Sequence, residues 1–139
     1  MSLSSGLPEH VGDGGDVARF LTSSGHYNPT AVKLAAFMPN PRNGETSVFR
    51  HGAETLEALK GIAQAEVGAD RRIHGAAIVK ASVVREAQLE VRAKEPPLRH
   101  ADIIGWKWSI EDPEFGKAEQ KELAALIAQK AGFPLRFSV

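Results

Sequence analysis

Apolar positions in this chain gather in short runs punctuated by glycine, proline and asparagine, and their period changes along the sequence. Val17-Ala-Arg-Phe-Leu21 reads as a short strand. Thr22 to Thr30 is dense in turn formers and reads as a loop. A second apolar stretch, Ala31 to Met38, stops at Pro39-Asn-Pro41. The Arg42-Asn-Gly44 that follows is a hairpin signal, because Asn-Gly supplies the positive φ of a tight turn. It predicts a hairpin joining Val32–Met38 to a strand over Glu45–Arg50.

The period then lengthens. Leu56, Leu59, Ile62 and Ala63 recur at helical spacing, which predicts a helix over Ala53–Val67 with Gly68 as its cap. Gly61 costs that helix about 1 kcal/mol relative to alanine, so packing must support it. Arg72 to Gln88 admits two readings: a strand at Ile73–Val79 with Ser82 capping a short helix over Val83–Ala87, or one continuous helix. Leu89-Glu-Val-Arg92 alternates as a strand does, and Pro96-Pro97 interrupts any ladder or helix. Ala101–Trp108 reads as the next strand. Asp112-Pro113-Glu114 predicts a helix start, running to about Ala131 with Leu123, Leu126 and Ile127 inward. Leu135–Val139 adds a last edge strand. The expected fold class is α+β, a mixed or antiparallel sheet of four to six strands with two main helices packed on it.

Composition narrows this without redirecting it. With 139 residues, 42% hydrophobic and 24% charged, the chain fits one globular domain. Residues 1–15, poor in apolar content, are expected to form a flexible lead-in and 16–139 the domain. Seventeen basic residues balance seventeen acidic ones, so no global field favours nucleic acid or an anionic membrane. Cysteine is absent, which removes thiol nucleophiles, disulfides and thiolate zinc sites. No apolar run approaches a membrane span and no secretory leader is evident, so cytoplasm is the expected compartment.

Candidate chemistry concentrates in two Arg-His dipeptides at predicted strand ends, Arg50-His51 and Arg99-His100. If the strands over 45–50 and 101–106 are antiparallel neighbours, both pairs meet at one sheet edge. Strand alternation puts Asp102 on the same face as His100, where a carboxylate can orient an imidazole for acid–base work. Arg50 and Arg99 would hold an anion, since guanidinium grips carboxylate and phosphate planes. Ser47, His51 and His26 are possible helpers, the last in a Ser-Gly-His loop without a P-loop ending. The structural alternative for each is an ordinary surface or core side chain. Trp106 and Trp108 are candidate contact residues for a protein partner or self-association. No metal or cofactor is expected: the histidines lack short ligand spacing, and Gly12-Asp-Gly-Gly-Asp16 fails the calcium pattern.

The segments Phe37-Met-Pro39, Ser47-Val-Phe-Arg50 and Pro96-Pro-Leu-Arg-His-Ala-Asp-Ile-Ile-Gly-Trp106 resemble a set of short bacterial proteins without an established activity. The likeness covers most of the chain after residue 17 and implies a small bacterial cytosolic protein. Similar chains often continue Gly-Trp-Pro where this one has Gly105-Trp-Lys107. Two functions follow as expectations: a protein-interaction module, or an enzyme binding a nucleotide or nucleic-acid phosphate through a His100–Asp102 pair and an arginine clamp.

Overall fold

Asp16–Leu21 forms strand β1, and both of its faces are closed to water: Val17 and Ala18 are 0% exposed, Leu21 1%. Such a strand needs neighbours on each side and layers above and below. In the computed structural model, which describes residues 5–51, 56–67, 73–95, 99–132 and 135–136, it has all four. The remaining strands are β2 (Tyr27–Asn28), β3 (Ala31–Val32), β4 (Thr46–His51), β5 (Gly75–Lys80), β6 (Glu90–Ala93), β7 (His100–Ile104) and β8 (Leu135–Arg136). The helices are α1 (Leu56–Val67), α2 (Ala81–Glu86) and α3 (Lys117–Lys130). Six strands make one sheet in the order β6-β7-β4-β1-β5-β8, every pairing antiparallel, and β2 with β3 makes a small separate ribbon. The fold is α+β, as the pattern predicts.

One sheet face presents Ala18, Phe20, Phe49 and Ala76 to Ile62 and Ala63 of α1. The other face presents Val17, Leu21, Val48, Val79, Ala101 and Ile103 to α2, α3 and the turn before β4. This second core is the larger. Ile103 and Ile127 are both fully buried in it, and each such side chain contributes about 1.5–3 kcal/mol. No helix among the described residues is long and apolar enough to cross a membrane.

Several elements depart from the pattern. The apolar stretch before Pro39 is not one arm of a hairpin: after β3 it winds into a 3-10 turn, Leu34–Phe37. Phe37 is 0% exposed there, and its carbonyl accepts a 2.9 Å bond from Thr46 Oγ1. The Asn43-Gly44 turn survives, with Gly44 at φ +69. Within the stretch 1–15, read from composition as a lead-in, Val11 is 2% exposed and belongs to the larger core. Between the two readings of 72–88 the structure has strand then helix, but α2 begins at Ala81, so Ser82 is not its cap.

α3 starts at Lys117 rather than beside Asp112, whose carboxylate instead accepts from Glu114 N–H in a turn. Gly116 causes the delay. It sits at φ +74, where a Cβ would lie 2.2 Å from the Lys107 carbonyl oxygen, so the chain crosses Lys107 before the helix can form. Gln120 then donates to that same carbonyl at 2.7 Å. The inward face is Gln120, Ala124, Ile127 and Ala128; Leu126 points out at 45% exposure. The predicted Gly68 cap, the Pro96-Pro97 break and the chain after Arg136 lie outside the described residues.

Candidate functional site: a serine–histidine pair on the sheet

β4 and β7 are antiparallel neighbours, with Thr46 opposite Ile103, Ser47 opposite Asp102, Val48 opposite Ala101 and Phe49 opposite His100. Directly opposed residues share a face, so Ser47, Phe49, His100 and Asp102 project together. The ladder continues one step further through Arg50 N–H to the Arg99 carbonyl at 2.8 Å. The two Arg-His dipeptides therefore do meet, although their side chains divide between opposite faces.

His100 is the centre of the cluster. Its Nδ1 lies 3.0 Å from the Lys94 carbonyl oxygen. A carbonyl can only accept, so Nδ1 carries the proton, and in the neutral imidazole Nε2 keeps its lone pair. Nε2 lies 2.7 Å from Ser47 Oγ, so toward the neutral ring the hydroxyl is the donor and the imidazole its acceptor. Lys94 is itself pinned, its N–H donating to the His100 carbonyl at 2.9 Å. The Phe49 ring meets the imidazole edge-on with centroids 5.3 Å apart, limiting its rotation from the side. The ring is thus held by a backbone carbonyl, an aromatic edge and the Ser47 hydroxyl.

Asp102 lies deeper. It is 3% exposed, with Oδ1 3.6 Å from His100 Nε2 and Oδ2 3.6 Å from Lys94 Nζ. Among the described residues Oδ2 has no hydrogen-bond partner. Burial raises its pKa and the Glu45 charge adds to that, against the opposing pull of His100 and Lys94. Glu45 completes the rear wall, paired with Arg92 at 2.8 Å and Lys94 at 3.5 Å.

The cluster opens onto a cleft of about 650 Å³ whose lining includes Ser47, His100, Asp102 and Glu45 together with Asn40, Arg42 and Asn43. Its origin is a divergence between β1 and β4, whose ladder ends at Ala18 opposite Phe49. Beyond that point Arg19 bridges the gap, donating from Nε to the Ala36 carbonyl at 2.7 Å and from Nη1 to the Ser47 carbonyl at 2.9 Å. The guanidinium substitutes for missing strand contacts and fixes the backbone that carries Ser47.

The other sequence candidates lie elsewhere. Arg50 is 8% exposed on the opposite face and donates to the Pro8 carbonyl at 2.5 Å. Burial lowers its pKa; Glu95 opposes this and neighbouring Arg99 adds to it. Arg50 and Arg99 thus stand near one another, but not as a clamp over His100. His51, at the far end of β4 opposite Asp16, and His26, whose Nδ1 accepts from Thr22 N–H within its own turn, do not line the cleft. Trp106 is a core residue, 5% exposed, with its indole N–H on the Ile103 carbonyl at 3.1 Å. Trp108 covers Gly44, where an added Cβ would come within 2.0 Å of the indole nitrogen.

No family model, curated protein or solved structure matches this chain.

The arrangement has a defined chemical capability. A serine hydroxyl hydrogen-bonded to a neutral imidazole, whose other nitrogen is fixed by an acceptor, is the ground state of a base-activated nucleophile. Here the orienting acceptor is a main-chain carbonyl, which no sequence motif records. The sequence missed Lys94, Arg42, Asn40 and Asn43 as well. Only Arg42-Asn43 carried a signal, and it was a turn signal.

Proposed function

We propose that this protein is an enzyme that transfers or hydrolyses an acyl group through Ser47, with His100 as general base. As Ser47 Oγ bonds to the acyl carbon its proton passes to His100 Nε2; the protonated Nε2 then hands that proton to the departing alkoxide. Water attacks the acyl-serine in the same way, returning the proton to Ser47 Oγ and releasing a carboxylic acid. Asp102 faces the imidazolium charge that develops at Nε2 and acts as a positioning residue. The observation that carries this reading is the 2.7 Å contact from Ser47 Oγ to His100 Nε2, with Nδ1 tied to Lys94, at the mouth of an open cleft.

The interaction-module reading has less support. Trp106 is enclosed and Trp108 rests on the chain's own Gly44. Phe115, 44% exposed, carries Lys107 Nζ over its ring at 5.3 Å.

A fluorophosphonate probe and a panel of aryl acetates test the proposal. Labelling is expected to vanish in Ser47→Ala, and turnover in His100→Ala is expected to fall about 10²–10⁴-fold, the usual contribution of a general base. Added imidazole should restore part of the His100→Ala rate, which a folding defect would not allow. Unchanged labelling in Ser47→Ala, or no turnover of any ester by the wild type, would sink the assignment.

A further inference from the structure

The charges lining the cleft are not evenly answered. Glu45 lies between Arg92 and Lys94, and Asp102 between Lys94 and His100, so both carboxylates are engaged from the β6 and β7 side. Arg42 lines the same cleft from the turn before β4; it is exposed, and its guanidinium has no hydrogen bond or ion pair among the described residues. Its position is nonetheless set by the chain. The Arg42 N–H is held by Asn40 Oδ1 at 2.8 Å, and Asn43 Oδ1 accepts from Glu45 N–H at 2.9 Å. Because each asparagine spends its oxygen on the backbone, its side-chain NH₂ is left as a donor. The 40–43 turn therefore brings one cation and two amide donors to the lining of the cleft that Ser47 and His100 share.

From this we infer that the esters cleaved at Ser47 bear an anionic group, a carboxylate or a phosphate, that Arg42 receives with help from Asn40 and Asn43. The inference rests on the Ser47–His100 reading and adds the substrate class to it. Arginine suits the task because its planar fork meets both oxyanions with paired hydrogen bonds. Glu45 is paired with Arg92 and Lys94, and Asp102 lies 3.6 Å from Lys94, which tempers their repulsion of such a group. The exposed position of Arg42 leaves its charge partly screened by water and salt, so the gain is selective rather than large.

Two measurements test this, the second of them without turnover. In the first, 4-acetoxybenzoate and its neutral counterpart 4-acetoxybenzamide are compared as substrates. Wild type is expected to favour the anion, with Arg42→Ala raising KM for it roughly tenfold, Arg42→Lys falling between, and the amide unaffected. Equal handling of both esters by wild type and by Arg42→Ala overturns the inference while leaving Ser47 in place. In the second, 4-hydroxybenzoate and phenyl phosphate are titrated into Ser47→Ala protein by NMR, with and without Arg42→Ala. Arg42-dependent binding of either ligand supports the anion site even if no ester is turned over, and shows which oxyanion it prefers. Binding that ignores Arg42, or none, overturns it.

Discussion

Asp102 is a buried carboxylate whose charge the fold does not fully answer. Burial is the main cause of its raised pKa, and the Lys94 and His100 contacts at 3.6 Å do not offset it. The folded chain then holds this proton more tightly than the unfolded chain. Stability from this group is greatest below the ordinary aspartate value of 3.8 and declines as pH rises through the higher folded value. Asp102→Asn should accordingly be more stable than wild type at neutral pH and lose that advantage in acid. Urea midpoints at about pH 3 and about pH 8 measure the difference, and a variant weaker than wild type at the higher value would refute it. Carrying an unfavourable charge beside His100 is consistent with a site shaped for chemistry rather than for stability. At this scale the sequence was informative about Asp102 and His100, because strand alternation alone puts them on one face. It was silent on Ser47 as their partner across 53 residues, which needs the β4–β7 pairing. Arg50 misled for a related reason: an arginine advertises anion binding in any sequence, but this one is satisfied by the Pro8 carbonyl.

Between elements, the segment before β1 shows how composition hides structure. Gly, Pro and Asp make residues 5–15 look like a tether, yet side chains from distant strands and helices hold its backbone. Arg85 donates to the Val11 carbonyl at 2.5 Å and to Asp13 Oδ1 at 2.6 Å, and Ser5 Oγ donates to Glu95 at 2.6 Å. Val11 is the one apolar anchor these contacts set into the core. Val11→Ala removes two methyl groups from a site 2% exposed and should cost about 2 kcal/mol in a urea melt, whereas a free tether would show no change. The same blindness affected 31–38, where an apolar run read as one hairpin arm supplies only the two-residue β3 and then a 3-10 turn against α3. Strands β1, β4 and β7 were legible because burial on both faces or strict alternation leaves a local trace. Segments held by hydrogen bonds from remote residues leave none.

At the scale of the molecule, the candidate site sits on the body of the sheet rather than on loops alone. β7 is bonded to β4 on one side and β6 on the other, so neither strand of the Ser47–His100 pair is an edge. Their opposite face is packed: Val48, Ala101 and Ile103 are each 0% exposed and share one core with Ile127 of α3. Loosening β7 would therefore open that core, and the geometry at His100 cannot melt independently of the domain. Unfolding should be a single transition. Three probes see different layers: far-UV ellipticity reports the helices and sheet, the fluorescence of Trp106 in a Trp108→Phe background the core beneath β7, and the His100 imidazole proton resonances the site. Coincident urea midpoints are expected. An earlier midpoint for His100, with ellipticity intact, would mean that β6 and β7 form a separately opening edge. In that case Ser47 and His100 would be held together only part of the time, and the open fraction would lower turnover in proportion.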